Sequence, residues 1–280
     1  MKGKRQKKQL ERFLNRKNMF STGKYYLIIT LLTILQISCN GQTQNKKQKS
    51  IPLTEQSENK HTQLAPIDNR NISQISKFID TALLSRYYAQ IVYFNNDDSL
   101  YSERQTDIIF SGSSSIRKWK TLAKDMKGLN VLNRGFGGST VPEAIYYADV
   151  LFFKHHPKKI VFYSGDNDIA FQRWDMNQVF ESYKYFCKVI HSHLPQTKIY
   201  IISLKPSPAR KKYWGKMNVL NDSLQIYIKS QKLCEYIDAA SCLLDDTGGI
   251  KKEYFAPDGV HLNQEGYKIW AEIIYDKISH

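Results

Sequence analysis

The sequence predicts an α/β domain, a three-layer sandwich with a roughly five-stranded parallel sheet between two layers of helices. Two observations carry this. Short apolar runs alternate with stretches of helical periodicity about five times between residues 105 and 278. The runs are uninterrupted rather than alternating apolar and polar, as in strands buried on both faces. Alternation of this kind argues parallel strands joined by crossover helices. Ligands in such sheets bind beyond the carboxyl ends of the strands, so the informative residues are expected in the loops that follow strands.

In chain order, Ile75, Phe78, Ile79, Leu83, Tyr87 and Ile91 recur at helical spacing, so a helix is expected over Ile75 to Tyr93. Asp107-Ile-Ile-Phe110 is a first strand, closed by Ser111-Gly112. Ile116 to Met126 has a helical pattern, and Val131-Leu132 is a short second strand before the Gly-rich Arg134–Thr140. Pro142 to Phe153 is expected as a helix, with proline in the first turn, where its missing N–H costs nothing. Lys159–Tyr163 is a strand, and Val179, Phe180, Tyr183, Cys187, Ile190 and Leu194 line one face of a helix. Lys198–Ser203 is a strand, Tyr213 to Gln231 a helix, Glu235–Ile237 a short strand and Gln264 to Ile278 a final helix.

The chain before this domain is of another kind. Tyr25 to Ile37 is almost wholly apolar but only 13 residues long, short of the roughly 20 needed to span a bilayer. Basic residues precede it, and Ser38-Cys39 follows. A basic segment, a short apolar segment and a small residue describe an export signal. We expect a signal peptide over residues 1–38, with Met19 an alternative start. Residues 39–72 are polar, without apolar period, and are expected to be a flexible tether to a domain over 73–280. A cysteine directly after the small residue resembles a bacterial lipoprotein signal, with Gln36 standing where Leu is usual. That resemblance implies lipidation of Cys39, a membrane anchor and an exported cell-envelope location, periplasmic or surface-exposed.

The net charge of +15 suggests nucleic acid at first sight. Its distribution argues otherwise. Residues 1–50 hold 12 of the 41 Lys/Arg and one of the 26 Asp/Glu, leaving 29 against 25 in the rest. No interleaved basic-aromatic motif or zinc-finger spacing is present, so nucleic acid is not an expected partner.

Four blocks at strand ends carry chemistry. Gly112-Ser113-Ser114-Ser115 places serines on a strand-to-helix turn, although a Ser-rich turn is also a common helix cap. Asn133-Arg-Gly-Phe-Gly-Gly138-Ser-Thr140 permits close backbone approach. It fails the dinucleotide spacing, because Thr140 stands where the third glycine should be. Gly165-Asp166-Asn167-Asp168 offers a carboxamide and two carboxylates. Asp258-Gly-Val-His261 lets a carboxylate hold an imidazole in one tautomer.

In this order the blocks resemble the SGNH/GDSL hydrolases over about residues 105–278. The motifs FSGSSSIRKW, NRGFGGS, GDND, KPSPAR and DGVHLN look like a bacterial subgroup of that superfamily. The resemblance implies the flavodoxin-like SGNH fold and a serine esterase or acylhydrolase. Ser114 would be the nucleophile, with Asp258 and His261 completing its triad. Ser114, Gly138 and Asn167 would form the oxyanion hole. The register leaves Ser113 and Ser115 as alternatives, because Ser113 replaces the family's aspartate. No metal or organic cofactor is implied, and the expected substrates are short-acyl esters of glycans or envelope lipids.

Three rival readings differ in chemistry. An α/β-hydrolase elbow needs Gly-x-Ser-x-Gly, and Ile116 stands at its last position. A metal phosphoesterase would use Asp107, Asp166, Asp168 and His261. A surface lipoprotein could keep the fold and bind glycan without turnover. Arg117, Trp119, Arg134 and Arg210 are candidates for the cleft or for structural roles. Cys187 is expected as a core thiol, and Cys234 and Cys242 as a pair able to bridge in an oxidising compartment.

Overall fold

A computed structural model describes residues 85–100 and 106–280. The expected signal peptide (1–38, with Cys39 beyond it), the tether (39–72) and the start of the first expected helix lie outside the described residues. Among the described residues, no helix is long and apolar enough to cross a membrane.

Five parallel strands form one sheet in the order β2-β1-β3-β4-β5. They are β1 (Ile108–Gly112), β2 (Val131–Gly135), β3 (Lys159–Tyr163), β4 (Lys198–Ile202) and β5 (Cys234–Ile237). All five residues of β1 are buried, as are four of five in β3 and β4. The uninterrupted apolar runs reflect this two-sided burial. Successive side chains go to opposite faces. Ile109, Ile160, Phe162, Ile199 and Ile201 join one core, while Ile108, Phe110, Val161, Tyr163, Tyr200 and Ile202 join the other.

The first core is covered by α1 (Tyr88–Leu100), α4 (Val141–Tyr146), α5 (Ala148–Leu151), α7 (Met176–His193) and α8 (Trp214–Lys229). The second is covered by α2 (Ser114–Arg117), α3 (Leu122–Asp125) and α9 (Gln264–Ile278). A further short helix, α6 (Asp166–Ala170), follows β3.

Several boundaries differ from expectation. The α1 helix runs on past Tyr93 to Leu100 through a polar stretch. Ion pairs replace apolar contact there: Arg134 with Asp97 and Asp98, and Lys154 with Asp98. The expected helix over 116–126 is two short helices, separated where Trp119 turns into the core and its Nε1–H donates to Asp125 (2.6 Å). The helix expected over 142–153 breaks at Tyr147 (φ −96°, ψ 16°), whose ring packs edge-on against Tyr87 and Phe136. Cys187, Cys234 and Cys242 are free. Cys187 and Cys234 pack in the first core and Cys242 in the second, so the sheet separates the two cysteines expected as a pair.

One close approach ties β1 to β3. Gly112 has φ +122°, and a Cβ there would lie 1.8 Å from the Tyr163 carbonyl oxygen. That same oxygen accepts the Ser113 N–H at 2.9 Å. Gly112→Ala is therefore expected to destabilise the domain by more than about 4 kcal/mol, read as a urea-midpoint shift at constant slope. A loss below about 1 kcal/mol would mean that the strand ends part freely.

Candidate active site

The sheet order puts β1 at the point where crossovers leave in opposite directions, with β2 on one side and β3 on the other. Three of the four blocks follow these strands. Ser113 caps α2 in an extended conformation and Ser114 is its first residue. Gly138 lies in the loop after β2 with φ +80°, a backbone state that favours glycine. Asn167 is the second residue of α6. The fourth block is the turn before α9.

Ser114 Oγ donates to His261 Nε2 at 2.8 Å, and His261 Nδ1 donates to Asp258 Oδ2 at 2.6 Å. The other oxygen, Asp258 Oδ1, accepts the backbone N–H groups of Val260 (3.0 Å) and His261 (2.9 Å). The turn thus fixes its own carboxylate against its own imidazole. With the Nδ1 proton held by Asp258, Nε2 is left to accept the serine proton. Partial burial works against ionisation of Asp258. The two backbone N–H groups and the ring outweigh it and hold the carboxyl well below its usual range. Burial lowers the His261 pKa, Asp258 pulls the other way, and Lys118 and Lys205 lower it further. Lys118 Nζ lies 3.0 Å from His261 Nδ1 and 3.5 Å from Asp258 Oδ2.

The three adjacent serines are not equivalent. Ser113 is fully buried, and its Oγ has no partner among the described residues. Ser115 is also buried, and its carbonyl accepts the Tyr267 hydroxyl at 2.8 Å. Ser114 is half-buried and is the one that meets the imidazole.

Across the cleft, Asn167 is nearly fully buried. Its Nδ2 donates one proton to the Ser139 carbonyl at 3.0 Å and carries a second. Its Oδ1 accepts from Arg210 Nη2 at 2.9 Å, which fixes which way the amide points. Arg210 Nη1 pairs with Asp166 Oδ2 at 2.6 Å. Lys205, also buried, donates to the Tyr163 hydroxyl at 3.2 Å and lies 3.7 Å from Asp166. Burial lowers its pKa to about 8, against the pull of Asp166. The backbone N–H groups of Ser114 and Gly138 meet no acceptor among the described residues. Asp168 accepts the Val141 N–H at 3.0 Å, and burial raises its pKa to about 8.

Lys205-Pro-Ser-Pro-Ala-Arg210 joins the two halves of the site, since the Ala209 N–H donates to the Gly259 carbonyl at 3.0 Å while Arg210 reaches Asn167. Sequence reasoning noted this motif, Arg210 and, as a metal candidate, Asp166, but missed Lys205 and Lys118 as neighbours of the site. A basic residue at each end of a proline-punctuated segment after a strand was the available signal. Trp119 and Arg134 do not line the cleft. Trp119 packs between Phe110 and Tyr267, and Arg134 is buried against Phe94. Arg117 lies over Gly137. Asp107 precedes β1 at the opposite end of the sheet and pairs with Lys158, so the four metal candidates do not converge. No group of three or more His, Cys, Asp or Glu side chains suited to a metal occurs among the described residues.

A model of the GDSL-like Lipase/Acylhydrolase family matches residues 98–269. The fold is shared with a GDSL-like lipase of Bacteroides thetaiotaomicron (19% identity, 68% of this chain, 98% of that one, TM-score 0.60). It is shared also with a Bacteroides fragilis protein assigned to the acylhydrolases (22%, 72% and 98%, TM-score 0.58). A variant of the acetyl-xylooligosaccharide esterase from Geobacillus has the same fold (13%, 62% and 94%, TM-score 0.51). By sequence, the chain is 25% identical over 171 residues to an Escherichia coli N-acylneuraminate cytidylyltransferase and spans 38% of that protein's length.

An imidazole whose pKa is lowered mainly by burial has an acid limb below the ordinary histidine value of about 6.5. The kcat/KM for p-nitrophenyl acetate is therefore expected to rise with pH as His261 loses its proton, and to plateau by about pH 7. A midpoint above about 7 would mean that Asp258 outweighs burial.

Proposed function

The chain belongs to the GDSL-like lipase/acylhydrolase family and is an ester-hydrolysing enzyme, and from that premise we propose that it works through a Ser114–His261–Asp258 triad and an acyl-enzyme. The observation that carries the proposal is the row of two short hydrogen bonds from Ser114 through His261 to Asp258. His261 Nε2 takes the hydroxyl proton as Ser114 Oγ attacks the ester carbonyl. Asp258 keeps the ring in the required tautomer and stabilises the imidazolium. The oxyanion is held by the N–H groups of Ser114 and Gly138 and by the second Nδ2 proton of Asn167. The imidazolium returns its proton to the departing alcohol. Water then attacks the acyl-serine, giving one proton to His261, which returns it to Ser114 as the carboxylic acid leaves and ionises in solvent.

Short-acyl esters of glycans or envelope lipids are the proposed substrates. Charged groups at the site, with Lys118 exposed beside the triad and Arg117 over the glycine loop, suit a polar alcohol portion. The fold shared with an acetyl-xylooligosaccharide esterase is consistent with this. Export and a lipid anchor at Cys39 complete the proposal and would bring the enzyme to such substrates at the cell envelope.

Alanine at Ser113, Ser114 and Ser115, assayed with a fluorophosphonate probe and p-nitrophenyl esters of rising chain length, tests the mechanism. Only Ser114→Ala is expected to lose both labelling and turnover, with the acetyl ester cleaved fastest. Asn167→Ala is expected to lose about a hundredfold or more in kcat. Turnover surviving in folded Ser114→Ala would refute the triad. For the anchor, incorporation of an alkyne fatty acid should disappear in Cys39→Ala. Labelling that persists in that variant would exclude Cys39.

A further inference from the structure

The glycine loop of the site is gripped by residues that precede the segment matched by the family model. Arg86 and Tyr87 lie in the 3-10 turn Ser85–Tyr87, ahead of α1 and ahead of residue 98. The Gly138 carbonyl accepts from Arg86 Nη2 at 3.2 Å and from the Tyr87 hydroxyl at 3.1 Å. The same two side chains reach Glu143. Arg86 Nη2 lies 3.0 Å from Oε1, and the Tyr87 hydroxyl lies 2.7 Å from Oε2. Glu143 is buried, and its Oε2 also accepts the backbone N–H and the hydroxyl of Thr140, each at 2.8 Å. The Tyr87 ring packs edge-on against Phe136 at 5.0 Å, and the Arg86 guanidinium lies over the Tyr87 ring.

The loop Phe136–Thr140 is thus held at Phe136 by ring packing, at the Gly138 carbonyl by Arg86 and by a Tyr87 proton shared with Glu143, and at Thr140 by Glu143. Between these anchors stand Gly137 and Gly138, the residues with most conformational freedom to lose. An oxyanion donor works only if it is aimed before charge develops. The bonds at the Gly138 carbonyl fix the peptide on one side of this residue and limit how its N–H on the other side can turn.

We infer that Arg86 and Tyr87, with Glu143, are positioning residues that pre-set the Gly138 N–H for the oxyanion, so that the pre-α1 turn of this chain is part of its esterase apparatus. The inference rests on the proposed role of Gly138. It predicts an effect on the transition state and little on ground-state binding, whereas a purely structural contact would move stability alone.

Tyr87→Phe keeps the ring against Phe136 and removes only the hydroxyl. Arg86→Gln removes the cation at a side chain that is 39% exposed, so its folding is little at risk. With p-nitrophenyl acetate, each variant is expected to lose about tenfold in kcat with KM within about twofold. Affinity for a trifluoromethyl ketone, whose adduct needs the oxyanion donors, should fall in proportion. Arg86→Lys should recover part of the loss. Should Tyr87→Phe fail to fold, Arg86→Gln and Arg86→Lys carry the test. Folded variants whose kcat and ketone affinity both stay within about twofold of the unaltered enzyme would overturn the inference alone. Absence of fluorophosphonate labelling at Ser114 in the unaltered enzyme would overturn the triad reading and this inference with it.

Discussion

The hydrogen bond between Ser114 and His261 joins residues 147 apart in the chain, and the arrangement around it depends on that closure. Neither partner is held by the bond itself. The two are pinned within a few residues by contacts in the second core. Tyr267, on the first turns of α9, stacks on Trp119 at 5.2 Å and donates to the carbonyl of Ser115. Trp270, one turn on, donates to the Ala239 carbonyl beyond β5. The helix after the histidine is therefore locked to the segment carrying the serine and to the far edge of the sheet. Such packing allows a fixed separation of 2.8 Å to be kept between two surface turns.

A second constraint runs underneath. Arg210 and Lys205 share one buried carboxylate, Asp166, so this cluster holds two cationic side chains to one anionic one. Burying them is costly, and the lowered pKa of Lys205 records that cost. The cluster adjoins Asn167, and its excess of positive charge lies beside the amide that Arg210 orients. The same segment meets the Asp258 turn through Ala209 and Gly259. Orientation of the amide and placement of the triad turn are thus linked by six residues of chain.

Much of the fold was legible in the sequence, for a physical reason. The third and fourth strands and the last helix lie within a residue of expectation. They are buried on both faces or have one continuous apolar face, so hydrophobic pattern alone describes them. Pattern failed where polar contacts decide the outcome. The end of α1 is held by Arg134 and Lys154 acting on Asp97 and Asp98, and no apolar period marks it. The breaks at Trp119 and Tyr147 arise because each ring turns into a core formed by distant segments. The short helix Asp166–Ala170 carries no apolar period, since its polar residues are buried by contact with Arg210 and Val141.

For the site, the sequence by itself determined the chemical inventory and its order: a serine, a glycine loop, a carboxamide and an Asp-x-x-His turn, each beside a strand end or before the last helix. Those are local features, set by residue type and spacing. Only the tertiary structure decided which of three adjacent serines meets the imidazole, because burial and direction differ between neighbours on one turn. It also decided that Arg210 orients Asn167 and that Arg86 and Tyr87 grip Gly138, pairs 43, 52 and 51 residues apart. Contacts at that range follow from how two helical layers close over a parallel sheet. No local pattern encodes them.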